Sequence, residues 1–393
     1  MSTALSVNLN KIALIRNSRE GTYPDLIEHG SGEYEETVAL RDEVLRKPLG
    51  LSYDPAGLVG EKDSFHLALR EGAELVACVD RNPDLASAFG EKQGCHPYSS
   101  LEAMLADPAV KAVSICTPSG VHLDPAVAAA EAGKHVIVEK PLEITTERCD
   151  KIIEACEKAG VRLTVTFQSR FHESSKLMKK AVEADRFGKI TMGDAYVKWY
   201  RSQEYYDSGA WRGTWALDGG GALMNQAIHS VDLLVWLMGP VEEISAMMAT
   251  MTHERIEVED VAVANLKFAS GALGVIEATT TSYPGALKRI EISGDKGSAV
   301  LEEEDIKDWQ FAEETAEDET IRTEMAGKTD TGGGAADPSA ISHHGHTMVF
   351  EEFISSIIEN RPSQVDGHEG RRSVEVIEAI YESAKSGQRI KLN

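Results

Sequence analysis

From Glu74 to Phe171 short apolar runs alternate with segments of helical pattern, and this rhythm restricts the fold more than any other feature of the chain. The apolar runs are "ELVACVD" (74–80), "AVSICTP" (112–118), "HVIVEKP" (135–141) and "RLTVTFQSRF" (162–171). Between them lie "PDLASAFGEKQG", "SLEAMLADP", "LDPAVAAAEAG", which closes on a C-cap glycine, and "TTERCDKIIEACEKAG", which opens on a threonine cap. Strands alternating with helices of about 10–15 residues predict βαβ units and a parallel sheet. Ligands of such sheets bind beyond the C-terminal strand ends.

After about residue 190 the rhythm changes. "ITMGDAYVKWY", "VEEISAMMATM", "DVAVANLKFA", "LGVIEATTTSY", "KRIEISGDKGSAVLE" and "DWQFAEE" are strand-like and joined in part by short glycine turns. This predicts a large, mostly antiparallel open sheet. One helix, "HSVDLLVWLMG", precedes it, and two helices, near 346–359 and 369–385, close the chain. The fold class is α/β, a Rossmann-like parallel sheet followed by an α+β domain. The domains expected are 1–73, an N-terminal module; 74–190, a dinucleotide-binding domain; and 191–393, for substrate binding and oligomerisation.

Composition narrows the partners. The formal net charge of −24 disfavours nucleic acid and anionic membranes. No run approaches the ~18 apolar residues of a membrane span. The N-terminus lacks a secretory pattern. The five cysteines include no CxxC pair, which points to reduced thiols in the cytoplasm. The histidines of "SHHGH" (342–346) lack ligand spacing, so no metal is expected.

The stretches "ELVACVDRNP", "VSICTPSGVH", "AGKHVIVEKPLEIT", "GGGALMNQAIHSVDLLVWLMGPV", "GALGVIEAT" and "DGHEGRRSVEVIEAIYESAKSGQRIKL" resemble, in order, the Gfo/Idh/MocA oxidoreductases. The resemblance covers residues 74–393. It departs at the start, where the family has a strand, a G-x-G-x-x-G turn and a helix. That turn brings backbone N–H groups to the cofactor pyrophosphate. "KIALIRNSREG" (11–21) offers the strand but only Gly21 in the turn. Residues 27–79 instead resemble the N-terminal half of a GNAT acetyltransferase, on "IEHGSGEYEETVALRDEVLRKPLGL" and "DSFHLALREGAELVACV". The acetyl-CoA loop does not follow, so acetyl transfer is set aside. The expectation is a parallel sheet whose first βα unit is missing or replaced.

The resemblance implies roles residue by residue. Lys140, in Glu139-Lys140-Pro141, touches the nicotinamide ribose and the reacting hydroxyl, and its charge favours a developing alkoxide. His229 accepts the hydroxyl proton, as an imidazole of ordinary pKa can. Asn225 stands where the family more often has aspartate. With "MNQ" it is similar to the branch that oxidises the C3 hydroxyl of UDP-sugar uronates. Asn225, His229 and Asp232 are spaced to share one helix face. Thr117, Pro118, Ser119 and His122 belong to a loop that covers the cofactor. Gln168, Trp211 and Arg212 lie toward it, and Arg170 faces the active cleft. Asp80 ends its strand where a carboxylate takes both ribose hydroxyls of NAD; Arg81 beside it leaves NADP open. Asp80 is alternatively a helix N-cap. "KWYRSQEYY" offers Lys198, Arg201, Tyr205 and Tyr206 to an anionic, hydroxyl-rich ligand, or else a solvated strand edge.

The function expected is therefore an NAD(P)-dependent oxidoreductase acting on a hydroxyl of a sugar or sugar nucleotide, as a homodimer or homotetramer. The alternative is a non-catalytic, sugar-binding descendant. The missing glycines predict weak NAD binding in either case.

Overall fold

The computed structural model describes residues 12–16, 73–327, 334–335 and 344–392. The chain divides into two compact units. One comprises Met1–Leu142, Glu147–Thr166 and Ser342–His368; the other comprises Glu143–Thr146, Phe167–Ile341 and Glu369–Asn393.

The first unit is built on a six-stranded sheet of β1 (Ile12–Arg16), β2 (Leu75–Val79), β3 (His96–Tyr98), β4 (Ala112–Cys116), β5 (His135–Val138) and β6 (Leu163–Val165). Every pair is parallel, and the order is β3-β2-β1-β4-β5-β6. This is the doubly wound order of a dinucleotide-binding fold, with its switch point between β1 and β4. Val113, Ser114 and Ile115 are all buried, so β4 is covered on both faces. A continuous apolar run rather than an alternating one is what such a strand requires.

The strand β1 narrows the expectation of a first βα unit missing or replaced, because its strand is present. Ile12–Arg16 sits at the centre of the sheet, with Ile12 opposite both Leu75 and Ala112. More than fifty residues separate β1 from β2 along the chain. Loop-closure entropy grows slowly, about 0.6 kcal/mol per doubling of length, so the excursion does not forbid this placement. Residues 17–72, which hold the turn after β1 and most of the GNAT-like stretch, lie outside the described residues. The end of that stretch, Leu75–Val79, is β2 of the parallel sheet.

The second unit carries an eight-stranded sheet. Its strands are β7 (Ile190–Lys198), β8 (Val241–Ala249), β9 (Val261–Phe268), β10 (Leu273–Thr279), β11 (Arg289–Gly294), β12 (Gly297–Glu302), β13 (Asp305–Phe311) and β14 (Ile390–Lys391). The order is β13-β12-β11-β7-β10-β9-β8-β14. Only β7 and β10 pair in parallel. The helix Ile228–Met238 covers one face, and Gly193 on β7 leaves the space that the Met238 side chain fills. The opposite face presents Met192, Met247, Val263 and Leu273, each 43–81% exposed. No helix among the described residues is long and apolar enough to cross a membrane.

Candidate functional site

In the first unit, the groups expected to meet a cofactor gather at C-terminal strand ends. Asp80 follows β2 and is 6% exposed; its Oδ1 accepts from the Asn82 amide at 2.8 Å. The helix Pro83–Gln93 is capped by Asn82, whose side chain accepts from the Asp84 amide. Asp80 is thus left at the strand end, and Arg81 beside it is exposed. Past β4, the Thr117 hydroxyl donates to the Val121 carbonyl at 3.1 Å, closing the turn of Pro118 and Ser119. His122 is fully buried, with Nε2 2.9 Å from the Thr117 carbonyl and Nδ1 2.9 Å from the Pro141 carbonyl. Its ring is a strut between the loops after β4 and β5. The second loop holds Glu139, Lys140 and Pro141, with a cis Lys140–Pro141 peptide. Glu139 lies 3.7 Å from His346. Ser342 and His343 of "SHHGH" lie outside the described residues.

In the second unit, the glycines 219–221 run into a π-helical turn, Ala222–Ala227, and then the helix Ile228–Met238. Asn225 is on the turn and His229 on the first turn of the helix. The Asn225 amide donates to Asp218 Oδ1, and its carbonyl accepts from Gln226 Nε2 at 2.6 Å. Gln226 in turn donates to the Tyr205 hydroxyl at 2.8 Å and accepts from Arg201 Nε at 3.1 Å. Arg212 donates to Tyr205 at 2.7 Å and stacks on Trp211, 4.6 Å from its ring centre. His229 meets the Phe167 ring edge to face at 5.7 Å. Gln168, next in sequence, is buried, and its Oε1 meets no donor among the described residues.

Four residues expected at the substrate are engaged elsewhere. Arg170 makes a bidentate pair with Asp232, at 2.8 and 2.7 Å, and a third bond to Glu369 at 2.7 Å. Burial alone would lower the Arg170 pKa, but the two carboxylates reverse it and hold the guanidinium charged. Arg170 would reach a substrate only with that pair broken. Arg201 is fully buried, and its other bonds go to the Tyr200 and Ala335 carbonyls. The Tyr206 hydroxyl is 2.9 Å from Thr280 Oγ1, inside the fold, and burial raises its pKa. Lys198 pairs with Glu277 at 2.8 Å. It shares the strand face of Met192, opposite the helix that carries His229.

Two family descriptions match this chain: "Oxidoreductase family, NAD-binding Rossmann fold" over residues 56–167, and "GFO/IDH/MocA C-terminal domain" over 175–300. Together they span more than half of its length. A levoglucosan dehydrogenase of Pseudarthrobacter phenanthrenivorans is 30% identical over 343 residues, 78% of this chain and 86% of that protein. The chain belongs to the Gfo/Idh/MocA oxidoreductases. Another relative, a myo-inositol 2-dehydrogenase of Thermotoga maritima, is 29% identical over 86% of this chain and 96% of its own length. The crystal structure of the WlbA dehydrogenase from Chromobacterium violaceum, in complex with NADH and UDP-GlcNAcA, is similar with a TM-score of 0.76. It is 32% identical and covers 99% of this chain and 97% of the other.

As a Gfo/Idh/MocA protein the chain implies NAD, and the first unit's donor set fits it. A buried carboxylate, Asp80, ends the strand beside the central one, where ribose hydroxyls are held in this sheet order. Among the described residues no cluster of His, Cys, Asp or Glu is placed to hold a metal.

Sequence reasoning missed Asp218, Gln226, Glu259 and Tyr381 in this Gfo/Idh/MocA protein. Asp218 immediately precedes the quoted motif and Gln226 lies within it; both are legible only as neighbours of Asn225. Glu259 lies well beyond the end of the motif, and nothing in "VEDVAV" marks it as buried.

Proposed function

We propose that this protein is an NAD-dependent dehydrogenase that oxidises a ring hydroxyl of a sugar or sugar nucleotide, with a UDP-linked uronate sugar as the leading substrate class. The observation that carries the reading is the oriented amide of Asn225, fixed by Asp218 and Gln226 on the turn that leads to His229. An amide held in this way ranks the substrate's hydroxyls by donor and acceptor without adding charge near an acidic sugar. The likeness to a dehydrogenase solved with UDP-GlcNAcA supports the substrate class.

When bound, NAD accepts the hydride from the carbinol carbon. His229 takes the hydroxyl proton, and the Lys140 ammonium stabilises the negative charge that develops on that oxygen. Asp80 holds the ribose. The Thr117–Ser119 turn, braced by His122, covers the cofactor. Gln168 brings a buried carbonyl that needs a donor. The scattered cysteines support a cytoplasmic setting, and the open face of the second sheet supports pairing between copies.

The test is NAD reduction, followed at 340 nm, with UDP-GlcNAcA, UDP-glucuronate, inositols and simple glucosides. Turnover that is fastest with a UDP-uronate supports the assignment. Fastest turnover with an inositol or glucoside overturns the substrate class, and no turnover with any of them leaves the non-catalytic descendant standing.

A further inference from the structure

The glycines before Asn225 close around a buried acid. Glu259, 2% exposed, precedes β9. Its Oε2 accepts from the Gly221 amide at 3.0 Å, and its Oε1 accepts from the Leu223 amide at 2.8 Å. The Tyr381 hydroxyl donates to the same Oε1 at 3.0 Å. That hydroxyl accepts in turn from the Met224 amide at 3.3 Å. The Glu259 carbonyl accepts from the Ala222 amide at 3.0 Å. Four successive backbone amides, 221 to 224, are therefore satisfied by one acid and one phenol. They are the unpaired donors with which any helical segment begins. A Cβ at Gly220 would collide with the Tyr381 hydroxyl, and one at Gly221 with the Glu259 carbonyl, so the glycines are required by this close approach.

We propose that Glu259, clamped by Tyr381, is a positioning residue for the reaction, fixing through the turn 221–224 where Asn225 and His229 stand. This rests on the dehydrogenase reading. The arrangement is complete only when the acid is ionised. Its two oxygens then accept three bonds, and the Tyr381 oxygen accepts a fourth. A proton on Oε1 would put a donor where the Leu223 amide and the Tyr381 hydroxyl already donate.

Burial pushes Glu259 up to about 7, against the pull of the Leu223 and Gly221 amides. The other titratable groups facing this pair include Asp218, which raises Tyr381, Tyr206, which feels both Asp218 and Glu259, and Lys385, whose Nζ lies 5.9 Å from the Tyr381 ring centre. The Asp260 carboxylate is turned away, onto the amides of Met251, Thr252 and His253. Ionisation thus completes the bonds to the turn but works against burial, so by linkage the closed turn is held more firmly below about pH 7 and less firmly above it.

The test has two arms, on the full chain. Hydrogen exchange of the peptide spanning 219–231, corrected for intrinsic pH dependence, reads the clamp without any substrate. Protection should fall as pH rises through about 7 in the wild type and be independent of pH in Glu259→Gln. The kinetic arm follows kcat and KM against pH with the best substrate of the panel. Glu259→Gln should lower kcat about 10²-fold with little change in KM, the cost of a small misplacement of reacting groups. Tyr381→Phe should move the acidic limb of kcat to higher pH, because the carboxylate loses a donor that favours its charged form. Wild-type exchange without a transition, or a Tyr381→Phe activity scaled equally at every pH, overturns the proposal. If no sugar is turned over, the exchange arm decides alone; if Glu259→Gln does not fold, Tyr381→Phe decides.

Discussion

The Asn225 amide donates to the buried carboxylate of Asp218. This pairing suits an amide at position 225, because an acid there would face a second acid. Asn225→Asp would set two carboxylates in contact, and one would take a raised pKa. An acid with a raised folded pKa binds extra protons in the native state. Stability is then lost as pH rises through that pKa and recovered as it falls. We expect the variant to lose about 1–3 kcal/mol at pH 8 and to approach wild type at pH 5. Thermal melts at both values decide it; an equal loss at both would remove the carboxylate contact as the cause.

Lys140→Ala and His229→Ala should each reduce kcat by about 10²–10⁴. Both side chains are half-buried. Their melting temperatures should therefore stay within a few degrees of wild type. Steady-state kinetics beside differential scanning fluorimetry separates the two effects. Variants as active as wild type on the best substrate would refute the assignment.

Arg170 is held by carboxylates, so its loss should act on folding. Arg170→Met leaves Asp232 buried without its partner and should cost about 3–5 kcal/mol. Adding Asp232→Leu removes the stranded charge and should restore most of that stability. Urea unfolding of the single and double variants measures the difference. A single variant of wild-type stability with a raised KM would instead make Arg170 a substrate ligand.

The sequence after β1 reads "NSREG", with one glycine against the three of a G-x-G-x-x-G pattern. Two lost amide contacts to a charged pyrophosphate, at about 1.5–3 kcal/mol each, would weaken NAD binding at least a hundredfold. We expect calorimetry to give a dissociation constant well above that of relatives with the glycine turn. Glu20→Gln should tighten it by removing a like charge. Micromolar binding by the wild type would show that the segment 17–72 supplies the phosphate contacts in another way.

Met192, Met247, Val263 and Leu273 share the open sheet face, with Met247 opposite Val263. We expect a dimer or tetramer by light scattering at micromolar concentration. Met247→Lys should shift it toward monomer without changing the melt of the monomer. A wild-type monomer across that range would rule the interface out.

Apolar runs flanked by helical segments named β2, β4, β5 and β6 directly, because a covered parallel strand must be continuously apolar. β1 is apolar in the same way, but the stretch after it has a single glycine, so its place in the sheet did not follow from the pattern. The resemblance placed Arg170 at the cleft, and residue type alone offered Arg201, Tyr206 and Lys198 to the substrate. Their partners, Asp232, Gln226, Thr280 and Glu277, are remote in sequence and carry no local signature. For Lys198 a signal did exist: alternation along β7 puts it on the face of Met192 and Asp194, away from the helix. Glu259 was illegible because a carboxylate in a strand-like stretch ordinarily faces water, and only the glycines it touches reveal that this one does not.

The central strand of the first unit is also the earliest to be synthesised, and both of its neighbours come later, at Leu75–Val79 and Ala112–Cys116. A ribosome must therefore deliver more than a hundred residues before the sheet's middle has both flanks to dock on. Until then β1 presents a bare edge where β4 will dock. Topology of this kind is slow to complete and prone to wrong pairing in the interval. Removing the first sixteen residues would not trim an end; it would split the sheet along its axis.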